Sequence, residues 1–130
     1  FKTKQLQKGL KELGEEGAIQ VFSLRDGRVV LGAVGQLQFE IVRHRLAGEY
    51  SVDAVYEQVG LHTARWLRFP DAKTRERFTS KEAASLATDV DGNPVFLATN
   101  RYNLELAEER WPEVGFHATR EHGEVLDGSR

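Results

Sequence analysis

The chain has 130 residues and a mass of 14.7 kDa, with 40% hydrophobic and 29% charged residues. That balance can bury a core and excludes a compositionally disordered chain, and no apolar run approaches the roughly 20 residues of a membrane-spanning helix or the core of a secretory leader. Cysteine is absent, which excludes disulfides, thiol nucleophiles and cysteine-ligated metals, and a formal charge of -2 gives no whole-molecule attraction to nucleic acid or membrane.

Methionine is also absent and the chain begins at Phe1, so either a piece of a longer polypeptide or a chain whose first residues are missing is expected. Residues 2–16 read as a helix, because Leu6, Leu10 and Leu13 recur at four and three residues among lysines and glutamines. Gly14 and Gly17 are its candidate stops. Residues 18–23 alternate as a strand, with Ile19 and Val21 on one side and Gln20 and Phe22 on the other. Asp26-Gly27 signals a hairpin, whose favoured turn needs positive φ, and 29–34 is the returning strand. A helix over 36–47 carries two apolar stripes: Phe39, Val42 and Leu46 on one face, Leu37 and Ile41 on another. Two apolar faces predict cover on two sides: one by the chain's own sheet, the other by a second layer or a neighbouring domain. Gly48 is read as its end, and 52–57 as a strand from its β-branched and aromatic content.

The same order then repeats. Residues 63–69 read as a strand, Pro70 opens a short polar helix over 71–78, and 85–89 and 95–99 flank a second hairpin signal, Asp91-Gly92. Asn100 is a candidate N-cap for a helix over 101–111 with Leu104, Ala107 and Trp111 as its stripe, and Pro112 forbids its continuation. Residues 114–119 form the last strand, and 121–130 are read as a frayed tail. The fold expected is α+β: two layers, an antiparallel sheet with helices on one face, on ferredoxin-like plait topology. One strand before Phe1 would complete a first βαββαβ unit, and the plait-like halves divide at about residues 60 and 61.

Charge is unevenly spread. Lys2, Lys4, Lys8 and Lys11 give the first eleven residues +4, and residues 65–81 are also +4, from Arg65, Arg68, Lys73, Arg75, Arg77 and Lys81 against Asp71 and Glu76. Residues 105–127 are acidic, at -5. These zones read either as solvated helix faces or as docking surfaces for an anionic partner such as RNA. No GxxxxGK[ST] loop is present, and Gly32-Ala33-Val34-Gly35 lacks the lysine and hydroxyl that reach phosphate and Mg²⁺. His44, His62, His117 and His122 have no HExxH spacing. No GxSxG elbow appears, and the acid pairs Glu15-Glu16 and Glu108-Glu109 are adjacent residues that point apart on a helix, which disfavours a catalytic dyad. No catalytic, cofactor-binding or metal residue is assigned.

The stretches LQKGLKELGEEGAIQVF and VVLGAVGQLQFEIVRHRLAGEYSVDAVYE resemble the third domain of translational GTPases of the elongation factor G type, GAVGQLQFEIV being the most specific part. Within that superfamily, TARW at 63–66, ATNRYNLELAEERWPEVGFHATREH at 98–122 and the QLQF helix start resemble the C-terminal domain of the bacterial peptide chain release factor 3 family. The resemblance covers residues 1–122. It implies a noncatalytic ribosome-docking and interdomain-signalling domain of a cytoplasmic termination GTPase that promotes departure of class I release factors. Its implied partners are the small ribosomal subunit (protein and rRNA) and the GTPase and β-barrel domains of the same parent, with GTP and Mg²⁺ handled outside this segment. The candidate ribosome contacts are Arg65, Arg68, Lys73, Arg75 and Arg77, then Lys2, Lys4 and Lys8. The candidate interdomain residues are Leu37, Phe39, Ile41, Val42 and Leu46. Two other readings stay open: a regulatory plait that binds a small metabolite, and the third domain of an elongation factor G-like GTPase.

Overall fold

A computed structural model describes residues 2–33 and 35–118. The elements run α1 (Lys2–Glu16), β1 (Gln20–Leu24), β2 (Val29–Gly32), α2 (Gln36–Tyr50), β3 (Thr63–Arg68), α3 (Ala72–Lys81), β4 (Leu86–Thr88), β5 (Pro94–Ala98), α4 (Arg101–Arg110) and β6 (Gly115–His117), with one 3-10 turn at Ala83–Ser85. Local chemistry accounts for most of the ends. Gly17 stops α1 at a φ of 88, its N–H donating to Gly14 O and that of Ala18 to Leu13 O. Asp71 and Asn100 cap α3 and α4, accepting from the N–H groups of Thr74 and Asn103. Gly27 and Gly92 supply the positive φ that the two hairpins require.

Six antiparallel strands make one sheet in the order β2-β1-β4-β5-β3-β6. From Thr63 onward the order of elements is βαββαβ and the strands lie β4-β5-β3-β6, which is ferredoxin-like plait topology. The β1–β2 hairpin extends this sheet through a short ladder in which Ser23 faces Thr88 and Leu24 faces Ala87.

All four helices lie on one sheet face. Side chains of directly paired residues share a face, and the register places Val21, Leu31, Leu86, Phe96 and Leu67 together on the helix side. Over β1 and β2, α1 and α2 bury Leu10, Leu13, Val42 and Leu46 against Ile19 and Val21. Over β3, β5 and β6, α3 and α4 bury a second cluster around Phe78, which is fully buried and ringed by Phe69, Phe96, Trp111 and Phe116 at centroid distances of 5.1–6.2 Å. The helices of the first pair approach closely at Gly9, where a Cβ would meet Leu46 Cδ2 at 2.7 Å and the Tyr50 ring at 3.0 Å. Polar ties hold the same crossing: Tyr50 OH donates to Glu12 at 2.7 Å, and Arg45 reaches Glu16 at 2.9 Å and Glu49 at 2.7 Å.

The opposite face is not bare. Phe22, Trp66, Ala87, Val95 and Leu97 form a third buried cluster there, with Leu61 packed against it. Phe22 and Trp66 stand on strands three positions apart, roughly 14 Å in a flat sheet, yet their rings are 5.8 Å apart. The sheet therefore curls toward this side, and the two long side chains span the rest of the gap. At its edge the β4–β5 hairpin holds a buried carboxylate. Asp89 Oδ1 accepts the N–H groups of Asp91 and Asn93, and Oδ2 accepts from Trp66 Nε1 and Asn93 Nδ2.

Several expectations need correction. No strand forms over 52–57. There Val52 N–H closes the helix end on Leu46 O, Val52 and Ala54 join the first cluster, and Tyr56 OH donates to Phe39 O. β-branched content favours a strand only where a partner strand satisfies the backbone. Gly48 does not end α2, which continues to Tyr50 and stops at Ser51, a left-handed residue with φ 57. The first hairpin strand sits one to two residues later than alternation suggested, and α3 runs past Phe78 to Lys81. Val34, Thr119 and the tail over 121–130, read as strand ends and frayed chain, lie outside the described residues.

Candidate functional site

The cationic residues singled out in the sequence do not form one patch. On α1, Lys4, Lys8 and Lys11 share an exposed face at helical spacing and border a shallow groove of about 390 Å³ with Glu12 and Glu15. Lys2 begins α1, and its side chain lies outside the described residues. On β3, Arg65 folds back on its own strand, donating to Thr63 Oγ1 at 2.8 Å and Ala64 O at 2.9 Å. Arg68 is exposed at the other end of β3, opposite Gly115 of β6.

α3 divides its cations between two sides. Arg77 lies over the Trp111 ring at 5.5 Å and pairs with Glu113 at 3.4 Å, which aims it at the α4 end of the domain. Arg75 lies over the Phe69 ring at 5.7 Å and, with Thr79 one turn on, lines a groove toward β1 and β4. Lys73 is exposed. Asp71, the α3 cap, has its carboxyl held below the ordinary 3.8, chiefly by the Thr74 N–H, so it stays ionised beside these cations. The groove also takes Arg25, which sequence reasoning did not single out. The residue type was visible, but the pairing of β1 with β4 that carries it toward α3 is a long-range contact.

The interdomain candidates separate as cleanly. Val42 and Leu46 are buried in the chain's own core and Phe39 packs against it, its ring 5.5 Å from that of Tyr56. Leu37 and Ile41, one turn apart on α2, are 72% and 50% exposed. The second apolar face of α2 exists as expected, and nothing among the described residues buries it. His44 lies exposed on the same helix. Among the described residues no cluster of three or more His, Asp or Glu could hold a metal ion, and no helix is long and apolar enough to cross a membrane.

Comparison with known proteins decides the relationship. The family model for the class II release factor RF3, C-terminal domain, matches residues 1–108, from the start of α1 into α4. The chain belongs to this family. Within it, a peptide chain release factor 3 from Aromatoleum aromaticum is 64% identical over 126 residues, covering 97% of this chain and 23% of that protein. The chain thus spans less than a quarter of the length of that relative. The family match includes Leu37, Ile41, Arg75 and the α1 lysines, whereas Trp111 and Glu113, which Arg77 meets, lie just beyond it.

Proposed function

We propose that this chain is the noncatalytic docking and signalling domain of a translation-termination GTPase that promotes release and recycling of class I release factors. In this reading GTP and Mg²⁺ belong to a GTPase domain elsewhere in the parent polypeptide. That domain and a β-barrel domain are its neighbours, and the small ribosomal subunit in the cytoplasm is its docking partner. The observation that carries the reading is the division of α2. Val42 and Leu46 serve the chain's own core, while Leu37 and Ile41 offer an apolar stripe to another body. The basic faces of α1 and α3 supply a surface suited to rRNA phosphates without making the whole domain basic.

The test uses the full-length protein. Leu37→Glu with Ile41→Glu alters no buried side chain, so folding by circular dichroism stays intact. Ribosome-stimulated GTP turnover falls at least tenfold, while turnover without ribosomes holds. Unchanged stimulation would refute interdomain packing through this stripe.

A further inference from the structure

The groove that receives Arg25 and Arg75 has features the docking reading does not itself require. It has a volume of about 320 Å³ and opens on the helix side of the sheet, between the clusters covered by α1–α2 and by α3–α4. Its floor includes a cross-strand row in which Ser23 of β1 pairs with Thr88 of β4. Both are exposed on the helix-side face, beside the buried Val21 and Leu86 of the same two strands. Arg25 enters from the end of β1 and Arg75 from α3, where the Phe69 ring supports its guanidinium. Thr79 adds a third hydroxyl. Among the described residues no carboxylate lines the groove. Most other arginines of known geometry are ion-paired: Arg28 to Asp26, Arg45 to Glu16 and Glu49, Arg77 to Glu113, Arg101 to Glu105 and Arg110 to Glu82.

We infer that this groove binds the phosphodiester backbone of RNA, with Arg25 and Arg75 as the charge-bearing contacts. The inference rests on the docking reading above and gives it a specific seat. Guanidinium groups arriving from two elements, with hydroxyls on the floor between them, suit a tetrahedral phosphate that accepts donors from several directions. Acidic side chains would instead pair with the two arginines one by one, and a crosslink at Thr79 separates that occupant from RNA. The surrounding stretch, residues 65–81, carries a balance of +4, which extends the attraction past the groove along α3.

The experiment measures binding of the full-length protein to purified small ribosomal subunits across a salt series. Each phosphate contact removed lowers the slope of log K against log salt by about 1. Arg25→Ala and Arg75→Ala are each expected to lower it by about 1, and together by about 2. Arg25 is an exposed turn residue, so Arg25→Ala alone keeps the test if Arg75→Ala, which loses packing on Phe69, does not fold. A photo-crosslinking residue at Thr79 is expected to capture RNA. Capture of a ribosomal protein would overturn the RNA assignment. An unchanged slope for both arginine variants, with Lys4→Ala and Lys8→Ala weakening binding, would overturn the groove and leave docking standing. Failure of the unsubstituted protein to bind the subunit would overturn both.

Discussion

Replacing Asp89 by alanine is expected to be among the most damaging single changes to this domain. The carboxylate sits in the β4–β5 hairpin at 6% exposure, beside Asn93 at 1%. Its removal takes the acceptor from Trp66 Nε1 (3.0 Å), Asn93 N (2.9 Å) and Asn93 Nδ2 (3.1 Å), whereas Asp91 N–H is only half-buried and recovers a bond to water. A buried donor left without a partner costs roughly 1–3 kcal/mol. Three donors sharing one site that can partly relax give a loss of about 4 kcal/mol. With an m-value of about 2 kcal/mol/M, the urea midpoint followed by circular dichroism falls by about 2 M. Asp89→Asn keeps the shape and one accepting oxygen, and should lose about half as much. Trp66→Phe deletes the indole donor together with buried ring volume, so only the double-mutant cycle with Asp89→Asn isolates the hydrogen bond, and it should report a coupling of about 1 kcal/mol. A midpoint shift below about 0.5 M for Asp89→Ala would show that the carboxylate does not hold the hairpin to β3, and the reasoning would fail.

Gly9→Ala offers a test of opposite pulls: alanine favours a helix by about 1 kcal/mol, but its Cβ would press on the buried Leu46 and on the Tyr50 ring. Overpacking at about 1–3 kcal/mol outweighs the gain, so thermal unfolding should show a net loss of about 1 kcal/mol, and a stabilised variant would refute the tight crossing of α1 and α2. For Asp71, whose folded pKa is depressed below 3.8 by the Thr74 N–H, the ionised cap contributes fully above the unfolded value and is lost as pH falls through the lower folded one. Acid unfolding of Asp71→Asn should therefore show a shallower loss of stability below pH ~4 than the unsubstituted chain, and identical acid limbs would exclude this role for the cap.

What the sequence disclosed was mostly local. Asn100, the Leu104-Ala107-Trp111 stripe and Pro112 bound α4 by signals within one helix, and Asp26-Gly27 and Asp91-Gly92 each fix a turn by the φ only glycine adopts freely. The reading of 52–57 as a strand failed because strand formation depends on a neighbour that composition does not report. The α2 stripes were legible from spacing, but which of them the chain would bury for itself was not. Charged residue types were visible at once, whereas their long-range pairing was not: Arg77 meets Glu113, 36 residues on, only once α3 and α4 are assembled. Arg25 stayed hidden because its groove exists only where β1 meets β4.

The contact between the Phe22 and Trp66 rings has a mechanical consequence. Phe22 comes from the α1–β1–β2–α2 part and Trp66 from the plait that follows, and the backbone ladder between the parts is short. Cohesion across that join comes from interlocked rings beneath the sheet as well as from hydrogen bonds along it. Neither part can shed its partner without wetting aromatic surface on both sides, so parting them costs apolar burial as well as the hydrogen bonds of the short ladder.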